Sequence, residues 1–162
     1  MPASRIFNAA LIAVPMLISA VATAQALPSH GSPITIRNDR GGQVIHYALK
    51  MLRLKEAGRS VRFSGRCDSA CTLYLALPRS KSCVTPSASF GFHLPYGASR
   101  RGNQVAAQYL LSSYPGWVRS WVASQGGLNG QIKTMSYGYA SRFLPTCPQA
   151  DRKLALPQLR TR

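Results

Sequence analysis

The stretch from Cys67 to Pro95 constrains this chain more than any other. In Gly65-Arg66-Cys67-Asp68-Ser69-Ala70-Cys71-Thr72 a serine lies between two cysteines, where the β-rich run Ser60 to Ser64 gives way to the apolar run Thr72-Leu73-Tyr74-Leu75-Ala76-Leu77. The pattern predicts a strand entering a turn whose serine opens a helix. At such a junction the helix's unpaired N–H groups and its dipole favour negative charge beside the hydroxyl. After Pro78, Ser82 to Val84 and Ala88-Ser89-Phe90-Gly91-Phe92-His93-Leu94-Pro95 read as further strands, and they deliver a histidine 24 residues after Ser69. A serine at a helix start and a histidine at a strand end are the ingredients of a nucleophile and its general base. The same serine also fits an ordinary helix cap. Asp68 fits either a cap or a carboxylate that orients His93.

The ends of the chain bear on compartment. Residues 1–26 have the form of a secretory leader: Arg5 is a short basic region, Ala9 to Val21 is almost wholly apolar, and Ala24-Gln25-Ala26 is a small-x-small cleavage pattern. Its 13-residue apolar core is shorter than the ~20 residues that span a bilayer. The expected product is therefore an exported, periplasmic or secreted chain of 136 residues beginning near Leu27, not a membrane-spanning one. It divides into an N-terminal arm (27–33), one domain (34–149) and a basic tail (150–162), with no internal repeat.

Four cysteines, Cys67, Cys71, Cys83 and Cys147, in an exported chain imply two disulfides, and the sequence leaves three pairings open. Zinc held by Cys67 and Cys71 is the rival reading, but no second close cysteine pair follows. No metal or cofactor is expected. Without Arg5 the chain keeps 19 Lys and Arg against 4 Asp and Glu, a net +15 before the histidines. For an exported chain that balance favours anionic envelope polymers, lipid head groups or acidic peptides as partners. The basic residues are scattered and not interleaved with aromatics, so a specific nucleic-acid site is not expected.

Ile34-Thr35-Ile36 reads as a short strand ended by the turn Asn38-Asp39-Arg40-Gly41-Gly42. Val44, Ile45, Ala48, Leu49 and Leu52 then fall at helical spacing, and Gly58 closes that segment. With the strand Ser60 to Ser64 this makes a strand-helix-strand unit, which normally pairs its strands in parallel. Glycines at the first strand's exit let backbone N–H groups approach a ligand closely, as an oxyanion hole requires, although an ordinary turn uses the same residues. Beyond a basic loop from Tyr96 to Asn103, Gln104 to Ser112 and Trp117 to Ser124 read as helical pieces. Trp117 and Trp121 share a face, which suits core packing or a homo-oligomer contact better than cofactor stacking. Gln131 to Leu144 is ambiguous between helix and strand.

In this order the motifs resemble the Clp protease proteolytic subunit and its exported relatives in the Clp/crotonase-like superfamily. The likeness rests on Ile36-Arg37-Asn38-Asp39-Arg40-Gly41-Gly42, on Cys67-Asp68-Ser69-Ala70-Cys71 and on Phe92-His93-Leu94-Pro95, with 27 residues between Gly42 and Ser69. It covers about Ile34 to Leu144. The resemblance implies a truncated α/β fold built from βαβ units, with a mostly parallel sheet and a helical excursion, lacking the family's first strand and helix. It implies a serine peptidase acting on peptide or protein substrates: Ser69 as nucleophile, His93 as base, and the N–H groups of Gly42 and Ala70 as the oxyanion hole. The family's third member, an aspartate, is expected near Ile132-Lys133-Thr134-Met135. Met135 stands at the matching position, and Asp151 is the nearest downstream carboxylate.

Overall fold

Every parallel pairing in the sheet runs through one strand, β2 (Val61–Asp68), in a computed structural model that describes residues 31–148. β1 (Ile34–Asp39) lies parallel along one side of it, from Ile34 opposite Val61 to Asp39 opposite Cys67. Two strands share its other side in succession: β3 (Ser82–Val84) pairs with Val61 to Phe63, and β4 (Ser89–Phe92) with Arg66 to Asp68. β5 (Lys133–Ser136) closes the far edge antiparallel to β4. The chain is thus mixed α/β with a mostly parallel sheet, as expected.

β2 runs further than expected. Alternation carries it past Ser64 to Asp68, with Val61, Phe63, Cys67 and Asp68 all buried, so the chain turns only at Ser69. Likewise β1 runs to Asp39 and leaves a connection of only four residues before α1 (Val44–Glu56). α1 buries Ala48 and Met51, with Val44, Tyr47 and Leu54 partly covered. Ile45, Leu49 and Leu52, counted in the expected apolar face, stay exposed: the helix is apolar around a wider arc than the sheet covers.

After Ser69 comes a 3-10 helix, Ser69–Ala76, and not an α-helix; its residues Ala70 to Leu75 are buried, and it packs on α1. In the core Phe63 and Phe90 meet edge to face at 4.9 Å, beside fully buried Leu73 and Met135. α2 (Arg100–Ser113) and α3 (Gly116–Ser124) form the helical excursion. α2 starts earlier than expected because Ser99 Oγ accepts the Gly102 N–H at 3.1 Å, and Asn103 ties its side-chain amide to both backbone groups of Ala98. The ambiguous segment resolves into β5 and a single turn, α4 (Tyr137–Ala140).

Trp117 stacks on Phe143 at 5.0 Å and Trp121 meets Phe92 at 5.3 Å. Both rings are partly buried against the core, as the core-packing reading of their shared face expects. The cysteines pair as Cys67–Cys71 and Cys83–Cys147. The sulfurs of Cys67 and Cys71 bond each other, so the zinc reading fails, and two disulfides fit a compartment more oxidising than the cytosol. Among the described residues no helix is long and apolar enough to cross a membrane. The leader, the tail and Asp151 lie outside the described residues.

Candidate active site

The site begins with strain at one residue. Ser69 has φ +56°, and among the described residues it is the one non-glycine with positive φ. That conformation costs of order 1–3 kcal/mol and persists only where the surroundings enforce it. Three constraints enforce it here. The Cys67–Cys71 disulfide bridges the turn, with both cysteines fully buried. Thr72 Oγ1 donates to the Ser69 carbonyl at 2.6 Å, and the Tyr114 hydroxyl sits 2.5 Å from the same Thr72 oxygen. With the Thr72 proton committed to Ser69, Tyr114 is the donor in the second bond. Burial raises the Tyr114 pKa above the ordinary phenol value, so the phenol keeps the proton it donates.

The Gly41-Gly42 turn closes onto this serine. A Cβ on Gly41 would lie 2.5 Å from the Asp68 carbonyl oxygen, 2.7 Å from Ser69 Cβ and 2.9 Å from the Ala70 nitrogen, and Gly41 itself has φ +80°. Only glycine fits there. Asp39 fixes the turn from behind: its Oδ1 accepts the Gly41 N–H at 2.8 Å and the Tyr47 hydroxyl at 2.6 Å. Burial, and then the bond and charge of Asp39, raise the Tyr47 pKa and keep it a donor. Since the Gly41 N–H is used by Asp39, Gly42 is the glycine whose N–H has no acceptor among the described residues. Ala70, in the first turn of the 3-10 helix, contributes an N–H of the kind helix starts leave unpaired.

His93 follows directly after β4 and is half-buried. Its Nδ1 is 2.8 Å from the Leu94 carbonyl oxygen. A carbonyl only accepts, so Nδ1 carries the proton and Nε2 presents a lone pair. Ser69, His93, Gly41 and Gly42 line one open cavity of about 590 Å³, with Arg40, Ile45 and Tyr96 among its other walls. No hydrogen bond joins Ser69 to His93 among the described residues. In a site without substrate such bonds are commonly long and tighten on binding.

Two expectations are corrected. Asp68 does not cap the helix after it. Its buried carboxylate pairs with Arg66 Nε and covers Gly91, where a Cβ would collide with it. Met135 does not stand beside His93: the antiparallel register sets it opposite Phe90, fully buried, while Lys133 faces Phe92 and donates to the Gln125 carbonyl. Asp39, Tyr47, Thr72 and Tyr114 were not singled out as site residues in the sequence. Thr72 three residues after Ser69 and the Asp39-x-Gly41 spacing are local signals of side-chain to backbone bonds. Nothing local marks Tyr114, which comes from 42 residues further along.

No family model matches the chain, and no curated protein matches it. Among solved structures, a peptidase from Plasmodium falciparum shows a likeness with a TM-score of 0.46 at 8% identity, covering 65% of this chain. The chain spans 64% of that peptidase's length. The functional reading rests on the cavity's own residues.

Proposed function

We propose that this protein is an exported serine hydrolase, most simply a peptidase, working through a Ser69 and His93 dyad on a truncated Clp/crotonase-like domain of residues 34–149. The observation that carries the reading is the strained Ser69 held against the Gly41-Gly42 turn in the cavity that His93 also lines. Backbone strain of this kind clusters where a nucleophile must be presented. In the proposed reaction Ser69 Oγ attacks the scissile carbonyl carbon while His93 Nε2 takes its proton. The N–H groups of Gly42 and Ala70 hold the developing oxyanion, His93 returns the proton to the leaving amine, and water then releases the acyl group by the same steps.

Among the described residues the Leu94 carbonyl stands where the family's aspartate would meet His93 Nδ1, and it partly replaces it. A wrong histidine tautomer costs ~10⁴-fold in turnover, and a carbonyl on Nδ1 avoids it. What a neutral carbonyl lacks is the full negative charge that stabilises the imidazolium, so turnover slower than that of a full triad is expected. The reading is tested by ester and peptide hydrolysis with the oxidised mature protein: Ser69→Ala and His93→Ala are each expected to lose at least about 100-fold in kcat. Undiminished hydrolysis by Ser69→Ala contradicts it.

That no carboxylate among the described residues meets His93 Nδ1 favours one other reading, a non-catalytic relative that binds an anionic envelope polymer through its basic surface. That reading requires binding to weaken as salt is raised.

A further inference from the structure

We propose that the cavity recognises a peptide bearing a carboxylate next to the bond presented to Ser69, and that Arg40 selects it. The choice of bond rests on the hydrolase reading above; the carboxylate recognition does not. Arg40 carries the one permanent charge among the residues that line the cavity, whose other polar side chains are Gln43, Ser69, His93, Asn103 and the Tyr96 hydroxyl. Its guanidinium makes no ion pair or hydrogen bond among the described residues, where the ion pair present is Arg66 with Asp68.

Among the described residues, the acids that could neutralise it are committed elsewhere. Asp39 turns its Oδ1 to the Gly41 N–H and the Tyr47 hydroxyl, Asp68 is buried and paired with Arg66, and Glu56 ends α1 at the opposite terminus from the cavity. A guanidinium stays protonated at any working pH and presents a planar fork that matches a carboxylate in bidentate fashion. Its placement sets where that carboxylate must sit. Arg40 directly precedes Gly41, where a Cβ would lie 2.7 Å from Ser69 Cβ, and it lines the same cavity as Ser69, so a carboxylate held by Arg40 sits in the cavity that contains the reacting group. Ile45 and Tyr96, 61% and 83% exposed, are further walls of the cavity and offer apolar surface to the neighbouring substrate residues. The favoured substrate is therefore an apolar segment with an acidic side chain, or a chain-terminal carboxylate, beside the bond.

The experiment is fluorescence anisotropy with labelled hexapeptides of one apolar sequence that differ only in a central Glu, Gln or Lys, each with a free and an amidated C-terminus. Binding is measured to oxidised Ser69→Ala protein, alone and combined with Arg40→Gln or, as a control of equal charge on the far end of α1, with Arg53→Gln. The expected result is about tenfold tighter binding of a carboxylate-bearing peptide over its neutral match, as a charge-assisted bidentate contact gives. That preference should collapse to within about twofold in Arg40→Gln and persist in Arg53→Gln. The two kinds of terminus separate a side-chain from a terminal carboxylate. No preference, a preference that survives Arg40→Gln, or one lost equally in Arg53→Gln overturns the proposal. Hydrolysis of the same peptides by protein with Ser69 intact keeps the two ideas apart: selective binding without turnover defeats the hydrolase reading alone, and turnover without charge preference defeats this one alone.

Discussion

The two sides of the cavity are built by different means. On the serine side the backbone is over-determined: a disulfide, a glycine that admits no Cβ, and two tyrosine-anchored hydrogen-bond chains converge on Ser69 and the Gly41-Gly42 turn. On the histidine side a single bond to the next residue's carbonyl orients a half-buried ring, with Tyr96 5.6 Å away between ring centres. The difference teaches where the stored strain belongs. Presenting a nucleophile and its oxyanion donors requires backbone in a costly conformation, which tertiary contacts must hold. Orienting an imidazole requires one acceptor, which the chain supplies locally.

The severest way to break the serine side is Gly41→Ala. With three backbone or Cβ atoms inside 3 Å of the new methyl group, the turn must retreat from Ser69. Reactivity of Ser69 toward a fluorophosphonate is expected to fall by at least about 100-fold, because an ångström of misplacement costs that much; rates within threefold of wild type would mean that the close approach does not matter.

The two disulfides give the next contrast. Cys83–Cys147 spans 64 residues and Cys67–Cys71 only 4. Loop-closure entropy assigns about 4 kcal/mol to the long span and about 2 kcal/mol to the short one. Replacing Cys83 and Cys147 with alanine should therefore lower Tm more but leave labelling of the remaining folded protein unchanged. Replacing Cys67 and Cys71 with alanine should lower Tm less and cut labelling about tenfold, since it releases the strained turn. Calorimetry and labelling rates on the two double variants show whether stability and reactivity separate in this way.

Smaller effects come from the hydrogen-bond chain. Thr72→Val leaves the Ser69 carbonyl and the buried Tyr114 hydroxyl without a partner, and should cost about 1–3 kcal/mol in urea unfolding with a several-fold loss of labelling. Tyr114→Phe keeps the packing and removes a titrating group. Because the folded protein raises the Tyr114 pKa above the ordinary 10.0, its stabilisation is complete below about pH 10 and is lost as the pH rises beyond that, when the unfolded chain releases the proton first. Unfolding midpoints between pH 9 and 11 should fall less steeply for Tyr114→Phe than for wild type.

Much of this arrangement is legible in the sequence because its signals are local. The strand into Ser69, the Gly41-Gly42 turn, α1 and the strand into His93 each announce themselves within a few residues. Four features are not legible for physical reasons. In the 3-10 helix Ser69–Ala76 the residues Ala70 to Leu75 are all buried, which leaves no amphipathic period to read. The exposure of Ile45, Leu49 and Leu52 depends on how much of α1 the sheet covers. The position of Met135 follows from the β4 and β5 register, and a shift of one residue in a strand moves a side chain from one face to the other. Tyr114 reaches Thr72 through tertiary packing alone.

The central claim, that the restrained turn holds Ser69 as a reactive nucleophile with His93 as its base, is tested most directly by labelling the oxidised protein with a fluorophosphonate and locating the adduct by mass spectrometry. The account predicts a single adduct on Ser69 that disappears in Ser69→Ala and falls by at least about 100-fold in His93→Ala. No adduct in protein shown to be folded, or labelling undiminished in His93→Ala, would contradict it.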